Sequence, residues 1–236
     1  NFGANAARNR GIRESSAPII ALLDSDDEYL PAKLGAIVET FDRQPDLGLL
    51  LDSYRLVVPG QNNGLPQDRI NPVIETSEAF LAGLFDSSVR KRRMRKSASG
   101  ITVRREVAFQ AGLFDETLAR RQDIDFLARV ARVARCATTD RQLWIKHETA
   151  DSISAKSRTF ITATLVLCRR NPEYLSNRAL RAGLLRDIAR HFYVLARNGR
   201  WSEAGRDWRE LVGELGLSQT ARLVATSLMF LRGRAA

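Results

Sequence analysis

The chain has 236 residues, of which 44% are hydrophobic and 27% charged, a composition typical of a globular protein with a sizeable core. The two cysteines, Cys136 and Cys168, lack CxxC spacing, which argues against a zinc framework and a disulfide scaffold. The formal net charge is +10, yet residues 1–89 contain 7 Lys or Arg against 13 Asp or Glu. This asymmetry indicates an acidic metal or ligand region joined to a part that meets anionic partners.

No apolar stretch approaches the roughly 18 residues that a membrane-spanning helix needs, and no signal peptide is recognisable. The sequence begins at Asn1 rather than at an initiator Met, and we interpret it as a fragment that lacks its natural N-terminal part. The paucity of cysteines fits a reducing compartment. We therefore expect a cytoplasmic protein.

The first third of the chain alternates helical and extended patterns. Residues 4–16 favour a short helix and a loop, and the apolar run "APIIALLD" favours a strand buried on both faces, as in a parallel sheet. Pro31 is well placed in the first turn of a helix that continues "PAKLGAIVETFDRQ". The apolar face of that helix is predicted at helical spacing from Leu34, Ile37, Val38 and Phe41.

Further strands are predicted over 47–60 and from residue 101, and a short helix over 76–85 has Thr76 or Ser77 as its cap. The segment "DIDFLARVARVAR" is typical of an amphipathic helix, and residues 136–154 of a strand with a polar loop. From residue 157 the patterns are helical, separated by Asn-Pro, Asn-Gly and Gly. We place a domain boundary near Lys156.

An acidic cluster follows the apolar run directly, and its members are Asp24, Asp26, Asp27 and Glu28. Counted from Asp24, an EF-hand loop would need Gly at the sixth position and Glu at the twelfth, which are Tyr29 and Gly35 here. An aspartyl-phosphate phosphatase would need Thr where Glu28 stands. Spacing therefore excludes both kinds of site.

Two interpretations of the cluster remain open from the residues alone. It is either a solvated turn whose carboxylates cap the following helix, or an Asp-x-Asp motif at the carboxyl end of a strand, where open α/β sheets bind ligands. Carboxylates this close repel one another unless a divalent cation neutralises them. Oxygen ligands suit Mg²⁺ or Mn²⁺.

Around this cluster the chain resembles family 2 glycosyltransferases with the GT-A fold. The matching residues of the first stretch are Asn1, Gly3, Ala7, Arg8, Asn9, Gly11, Ile12, Leu23, Asp24, Ser25, Asp26, Asp27, Pro31, Lys33 and Leu34. Those of a second stretch are Gly112, Phe114, Asp115, Glu116, Asp123, Asp125 and Arg129. The segment "LWIKHETADSIS" is similar to a part of the family where a His precedes a Ser-rich loop.

The resemblance implies an α/β fold with a Rossmann-like, mostly parallel sheet flanked by helices. Residues 1–156 would form the catalytic domain without its N-terminal nucleotide-base-binding portion, and residues 157–236 a helical C-terminal region. The implied activity is inverting hexosyl transfer from a nucleotide-diphosphate sugar, such as a UDP-sugar, to a glycan or lipid-linked acceptor. Cell-surface polysaccharide or lipopolysaccharide synthesis is the implied setting. The alternative is a catalytically incomplete remnant that serves as a basic, membrane-associated binding module.

The resemblance also implies a role for each matching residue of the site. Asp24 and Asp26 would hold Mg²⁺ or Mn²⁺ against the donor diphosphate, with Asp27 in support. His147 would contact the metal or the diphosphate; the alternative is a polar residue at a strand end.

The remaining implied residues lie on the donor and acceptor sides. Arg8 and Asn9 would line the donor side; for Arg8 the alternative is a surface position on a helix. Asp123 would be the general base that takes the acceptor's proton, although a carboxylate also suits the first turn of a helix.

The basic segment "RKRRMRK", Arg90 to Lys96, has three interpretations. It is a solvated loop, a contact for acceptor phosphates or anionic headgroups, or a nucleic-acid contact. The absence of interleaved aromatic residues and of a known nucleic-acid module argues against the last. The Arg-rich helices of the tail pack as a core or lie on a membrane interface. We thus expect peripheral contact with the inner face of the cell membrane.

Overall fold

A computed structural model describes residues 3–85, 94–148, 160–216 and 220 of the chain. Their helices are α1 (Ala4–Glu14), α2 (Lys33–Arg43), α3 (Ser77–Phe85), α4 (Arg105–Gln110), α5 (Gln122–Val130), α6 (Phe160–Arg170), α7 (Glu173–Ser176), α8 (Arg178–Arg197) and α9 (Trp201–Leu215). Their strands are β1 (Ile19–Ala21), β2 (Asp27–Tyr29), β3 (Leu47–Val57), β4 (Gln67–Arg69), β5 (Ile101–Arg104) and β6 (Arg135–His147). Short 3-10 turns occupy Asn62–Gly64 and Ala98–Gly100.

The chain divides into two compact units. The first is drawn from residues 1–84 and 91–152, and the second from residues 85–90 and 153–236. The predicted boundary at Lys156 falls within residues 149–159, outside the described residues. The α/β class of the first part and the helical nature of the C-terminal region are confirmed.

The described strands of the first unit form one sheet in the order β1-β5-β3-β6-β2, with β4 added to the distal part of β3. Among them only β3 and β6 pair in parallel, and the other pairings are antiparallel. The expectation of a mostly parallel sheet is therefore corrected. A continuous apolar run reports burial on both faces of a strand, not the direction of its neighbours.

Helix α2 covers one face of this sheet. Its Ile37 and Phe41 form a buried cluster with Leu47 and Leu50 of β3 and with Ala137 of β6. The predicted apolar face is confirmed for Ile37 and Phe41 and wrong for Leu34 and Val38. Leu34 and Val38 are 59% and 53% exposed, whereas Lys33 is fully buried on the inner side.

The second unit is a group of helices with an apolar interior. Its buried side chains include Leu165, Leu184, Ile188 and Leu211. His191 of α8 and Asp207 of α9 form a buried pair, 2.7 Å between Nε2 and Oδ2. Within the part of the chain that the structure describes, every helix is too short or too polar to cross a bilayer.

Candidate functional site

The acidic loop, residues Asp24 to Asp27, connects β1 to β2. Each of Asp24, Asp26 and Asp27 offers a carboxylate oxygen, and these three oxygens lie within 4.8 Å of one another. The loop closes as a tight turn because the Asp27 N–H donates to the Asp24 carbonyl at 3.1 Å. The sequence predicted that the loop leads directly to the helix at Pro31. In the structure, strand β2 lies between the loop and that helix and pairs with β6.

The side chain of Asp27 is held from several sides. Its Oδ2 accepts the hydroxyl proton of Ser99 at 2.5 Å, and its Oδ1 accepts the backbone N–H of His147 at 3.3 Å. Lys146 Nζ lies 3.9 Å from Oδ2. Burial raises the pKa of Asp27, and the Ser99 hydrogen bond and the Lys146 charge oppose that shift. Asp27 therefore shapes the loop, while Asp26 is its exposed member.

Helix α1 places Arg8 against the acidic loop. Arg8 Nη2 lies 2.5 Å from Asp24 Oδ1, and Nη1 donates to the Asn5 side chain at 3.2 Å. The guanidinium also lies 5.6 Å from the centre of the Phe114 ring. Arg8 thus neutralises part of the negative charge of the acidic loop.

Asn9 does not line the site as the sequence predicted. It is 2% exposed, and its side-chain amide donates to the Phe114 carbonyl and to Glu116, both at 2.8 Å. Its Oδ1 accepts the Phe114 N–H at 2.8 Å. Asn5 similarly donates to the carbonyls of Asp115 and Leu118. We therefore correct the role of Asn9: it fastens α1 to the loop that leads to α5.

Asp123 lies in the first turn of α5, after Arg121, whose φ of 59° places it in the left-handed region. Its Oδ1 accepts the N–H of Ile124 at 2.9 Å. Burial raises the pKa of Asp123, and the Ile124 hydrogen bond and the charges of Lys96 and Arg8 act in the opposite direction. A carboxyl with a raised pKa is a better proton acceptor when it is ionised.

The other acidic residue of this turn has a different environment. Asp125 is 1% exposed and binds Arg129 of the same helix, with Oδ2 lying 3.0 Å from Nε and 2.8 Å from Nη2. Arg129 in turn donates to the Ala111 carbonyl. Asp125 is therefore a structural residue, and Asp123 is the carboxylate of this turn that suits proton transfer.

His147 is not placed with the carboxylate oxygens of the acidic loop. Its Nε2 lies 3.7 Å from Glu28 Oε2. Register explains the difference: Lys146 pairs with Asp27 and reaches its carboxylate, and successive side chains of a strand point to opposite faces. The structure thus shows a backbone contact of His147 with Asp27, and the contact of its side chain with the metal or the diphosphate stays a prediction.

Sequence reasoning missed a buried group of side chains beneath the acidic loop. Lys33 Nζ donates to Asp52 Oδ2 at 2.6 Å and to the Ser99 carbonyl at 3.0 Å. Lys33 matched the family pattern, and its spacing with Ala36, Ile37 and Phe41 places it on the buried face of α2. Asp52 and Ser99 carry no local signal, because only the folded sheet brings them to Lys33.

The donor set of the loop fits a hard divalent cation. Carboxylate oxygens are the ligands that Mg²⁺ and Mn²⁺ prefer, and the three oxygens are already close together. The structure holds them at some electrostatic cost, since like charges at this separation repel.

The basic segment Arg90–Lys96 lies only partly within the described residues, which omit 90–93. Met94 is buried, the N–H of Arg95 donates to Asn71 at 2.6 Å, and Lys96 Nζ donates to the Leu84 carbonyl. The described end of this segment is therefore anchored on the first unit, with Lys96 acting electrostatically on Asp123.

The family model described as "Glycosyl transferase family 2" matches residues 1–105. No curated protein shows significant similarity to the chain.

Three crystal structures of S. aureus TarS are similar in fold. TarS 1-349 is 14% identical with a TM-score of 0.48, and the alignment covers 92% of this chain and 73% of that one. A longer TarS structure is 16% identical with a TM-score of 0.47, covering 81% and 31%. TarS 1-349 in complex with UDP is 13% identical with a TM-score of 0.49, covering 98% and 72%.

At such identities and TM-scores the similarity to TarS carries no conclusion about function. The similarity to a known family therefore depends on the family model. That match includes α1 with Arg8 and the whole acidic loop, the two elements that the sequence had singled out. Residues 1–105 of the chain are therefore similar to glycosyl transferase family 2.

Proposed function

We infer that the chain transfers a sugar from a nucleotide-diphosphate sugar to a hydroxyl group of a glycan or lipid-linked acceptor. The observation that carries this proposal is the way α1 joins the two acidic elements. Arg8 pairs with Asp24 of the acidic loop, while Asn5 binds the Leu118 carbonyl in the approach to α5, which bears Asp123. A cation-binding loop and a candidate base are thereby held on one scaffold.

Asp123 is the proton acceptor in this proposal. The acceptor hydroxyl gives its proton to the carboxylate, and its oxygen forms a bond to the anomeric carbon. The bond from that carbon to the diphosphate oxygen breaks, and the electron pair leaves with the nucleotide diphosphate. A single displacement of this kind inverts the anomeric centre.

The acidic loop supports the donor side. Asp24 and Asp26 would hold Mg²⁺ or Mn²⁺, with Asp27 in support, and the cation would offset the charge that develops on the leaving diphosphate. Arg8 contributes a fixed positive charge beside Asp24. The donor that we would test first is a UDP-sugar.

The acceptor side is basic. Lys96 and Arg8 both act on Asp123, and positive charge there opposes the rise in its pKa and favours an acceptor that carries phosphate. This is consistent with a lipid-linked acceptor, with peripheral contact at the inner face of the cell membrane, and with cell-surface polysaccharide or lipopolysaccharide synthesis.

Turnover of UDP-sugars by the purified chain tests the proposal. Asp123→Asn is expected to lower kcat by at least about 100-fold, the lower end of what a general base contributes. Asp26→Ala is expected to lower kcat as well, because it removes a ligand of the cation that offsets charge on the leaving diphosphate. Asp140→Asn, on the exposed part of β6, is the matched control and should retain wild-type turnover. Turnover near the wild-type value in both Asp26→Ala and Asp123→Asn would overturn the assignment.

A further inference from the structure

We propose that Lys33, Asp52 and Ser99 form a positioning network that holds the acidic loop in its closed geometry. The three side chains come from α2, from the middle of β3 and from the 3-10 turn before β5. All three are fully buried. They are not themselves ligands or catalytic groups, because they act on the loop through hydrogen bonds from beneath it.

Ser99 is the point of attachment. Its Oγ accepts the N–H of Asp24 at 3.0 Å and donates to Asp27 Oδ2 at 2.5 Å. One hydroxyl therefore binds both ends of the four-residue turn. This fixes the separation of Asp24 and Asp27, two of the three residues whose carboxylate oxygens are gathered there.

Lys33 fixes Ser99 in turn. Its Nζ donates to the Ser99 carbonyl at 3.0 Å and to Asp52 Oδ2 at 2.6 Å, and it lies 4.5 Å from the centre of the Tyr29 ring. The Tyr29 hydroxyl donates to the Leu22 carbonyl at 2.6 Å, just before the loop. The network thus connects the sheet to the loop itself through Ser99 and to Leu22, just before the loop, through Tyr29.

A buried ion pair of this kind needs a reason other than stability. Replacing such a pair with apolar residues of similar size is often neutral or stabilising, whereas removing one partner is strongly destabilising. A purely structural pair could therefore be exchanged for apolar residues without loss. The contact with Ser99 supplies the reason. A hydrogen-bond donor is needed at position 33 to bind the Ser99 carbonyl, and this contact fixes the position of the Ser99 hydroxyl.

The consequence for the loop is electrostatic. Three carboxylates at this distance repel one another, and without the two hydrogen bonds of the Ser99 hydroxyl they would separate. Groups that orient metal ligands from behind typically contribute 10–100-fold to metal affinity. This part of the inference rests on the proposed cation-dependent function, whereas the ordering of the loop by Ser99 does not.

Amide hydrogen exchange of the metal-free protein tests the ordering by itself. Ser99→Ala removes the acceptor of the Asp24 N–H, and we expect at least about tenfold faster exchange in a peptide covering residues 22–30, since exchange reports local opening. Ser53→Ala is the matched control. Ser53 is equally buried, accepts the Asn71 N–H and donates to the Thr139 carbonyl, so it also loses two hydrogen bonds. Equal exchange of the loop peptide in both variants would overturn the network.

A double variant separates positioning from stability. Lys33→Met should lower the Tm, and Lys33→Met with Asp52→Leu should restore most of it, because no buried charge is left unpaired. Mn²⁺ affinity, measured by calorimetry, should remain about 10–100-fold weaker in the double variant. Recovery of Mn²⁺ affinity together with the Tm would show a structural role only and would overturn the proposal.

The two measurements also separate this inference from the proposed function. If the wild type binds no Mn²⁺, the cation-dependent function fails, and the exchange experiment still decides whether Ser99 orders the loop. If the wild type binds Mn²⁺ and Ser99→Ala binds it equally well, the function stands and the positioning network is contradicted.

Discussion

Among the described residues, each unit contains a buried pair of an acidic and a basic side chain, and the two pairs differ in the groups that they contact. In the first unit Lys33 lies 2.6 Å from Asp52, and in the second His191 lies 2.7 Å from Asp207. The His191 pair joins two neighbouring helices, α8 and α9. The Lys33 pair continues through Ser99 to a loop of exposed carboxylates. The role of a buried ion pair is therefore indicated by the groups that it contacts, because the two pairs have nearly the same distance.

The largest expected effect comes from breaking the pair of the first unit. Lys33→Met leaves the Asp52 carboxylate buried without its cation, and we expect the free energy of unfolding to fall by about 3–5 kcal/mol. Urea denaturation followed by fluorescence measures this change. A loss below 1 kcal/mol would mean that the pair contributes little.

Breaking the second pair should cost less. His191→Leu removes the partner of Asp207, but Arg206 Nε remains 3.5 Å from the other carboxylate oxygen. We expect a loss of about 1–3 kcal/mol, typical of a buried group that loses one hydrogen bond. Hydrogen exchange of residues 22–30 should be unchanged in this variant. Faster exchange there would contradict the distinction drawn between the two pairs.

The pH dependence of stability sharpens the comparison further. Burial raises the pKa of Asp52 from 3.8 to about 6, against the opposing charge and hydrogen bond of Lys33. The folded state thus binds this proton more tightly than the unfolded state, so the contribution of Asp52 to stability declines as the pH rises from 4 through 6.

The double variant with Lys33→Met and Asp52→Leu lacks this titration and serves as the reference. The unfolding free energy of the wild type, relative to that of the double variant, is expected to fall between pH 4 and pH 6. Chemical denaturation at several pH values measures the difference. A constant or rising difference would contradict the assignment of the raised pKa to Asp52.

The smallest expected effect concerns the face of α2 that the sequence predicted as apolar core. Val38 is 53% exposed, so Val38→Ser should change stability by less than about 0.5 kcal/mol. Ile37→Ala, at a position that is 3% exposed, should cost about 2–4 kcal/mol. Similar losses for both would mean that α2 is rotated relative to the described arrangement, with Lys33 away from Asp52.

Much of the candidate site could be predicted because its signals are local. The acidic loop follows an apolar run, and Asp123 opens a helix whose buried Phe126, Leu127 and Val130 follow helical spacing. The predicted amphipathic segment extends beyond the observed helix, because α5 ends at Val130 and Val133 is 47% exposed.

Other features depend on contacts between distant segments. The family resemblance implied a donor contact for Asn9, yet its side chain points toward Phe114 and into the interior. The face on which the His147 side chain lies depends on the register of β6 against β2, which its own segment does not reveal. Asp52 and Ser99 are brought together by the sheet itself, and no spacing in the sequence marks them.

Calorimetric titration of UDP into the purified chain, with and without Mn²⁺, tests the central claim most directly. We expect the wild type and the Asp140→Asn control to bind UDP only when Mn²⁺ is present. Asp26→Ala, which removes the exposed carboxylate of the acidic loop, should lower that affinity by at least about tenfold. Equal UDP affinity with and without Mn²⁺, unchanged in Asp26→Ala, would contradict the claim that the acidic loop is a cation-dependent donor site.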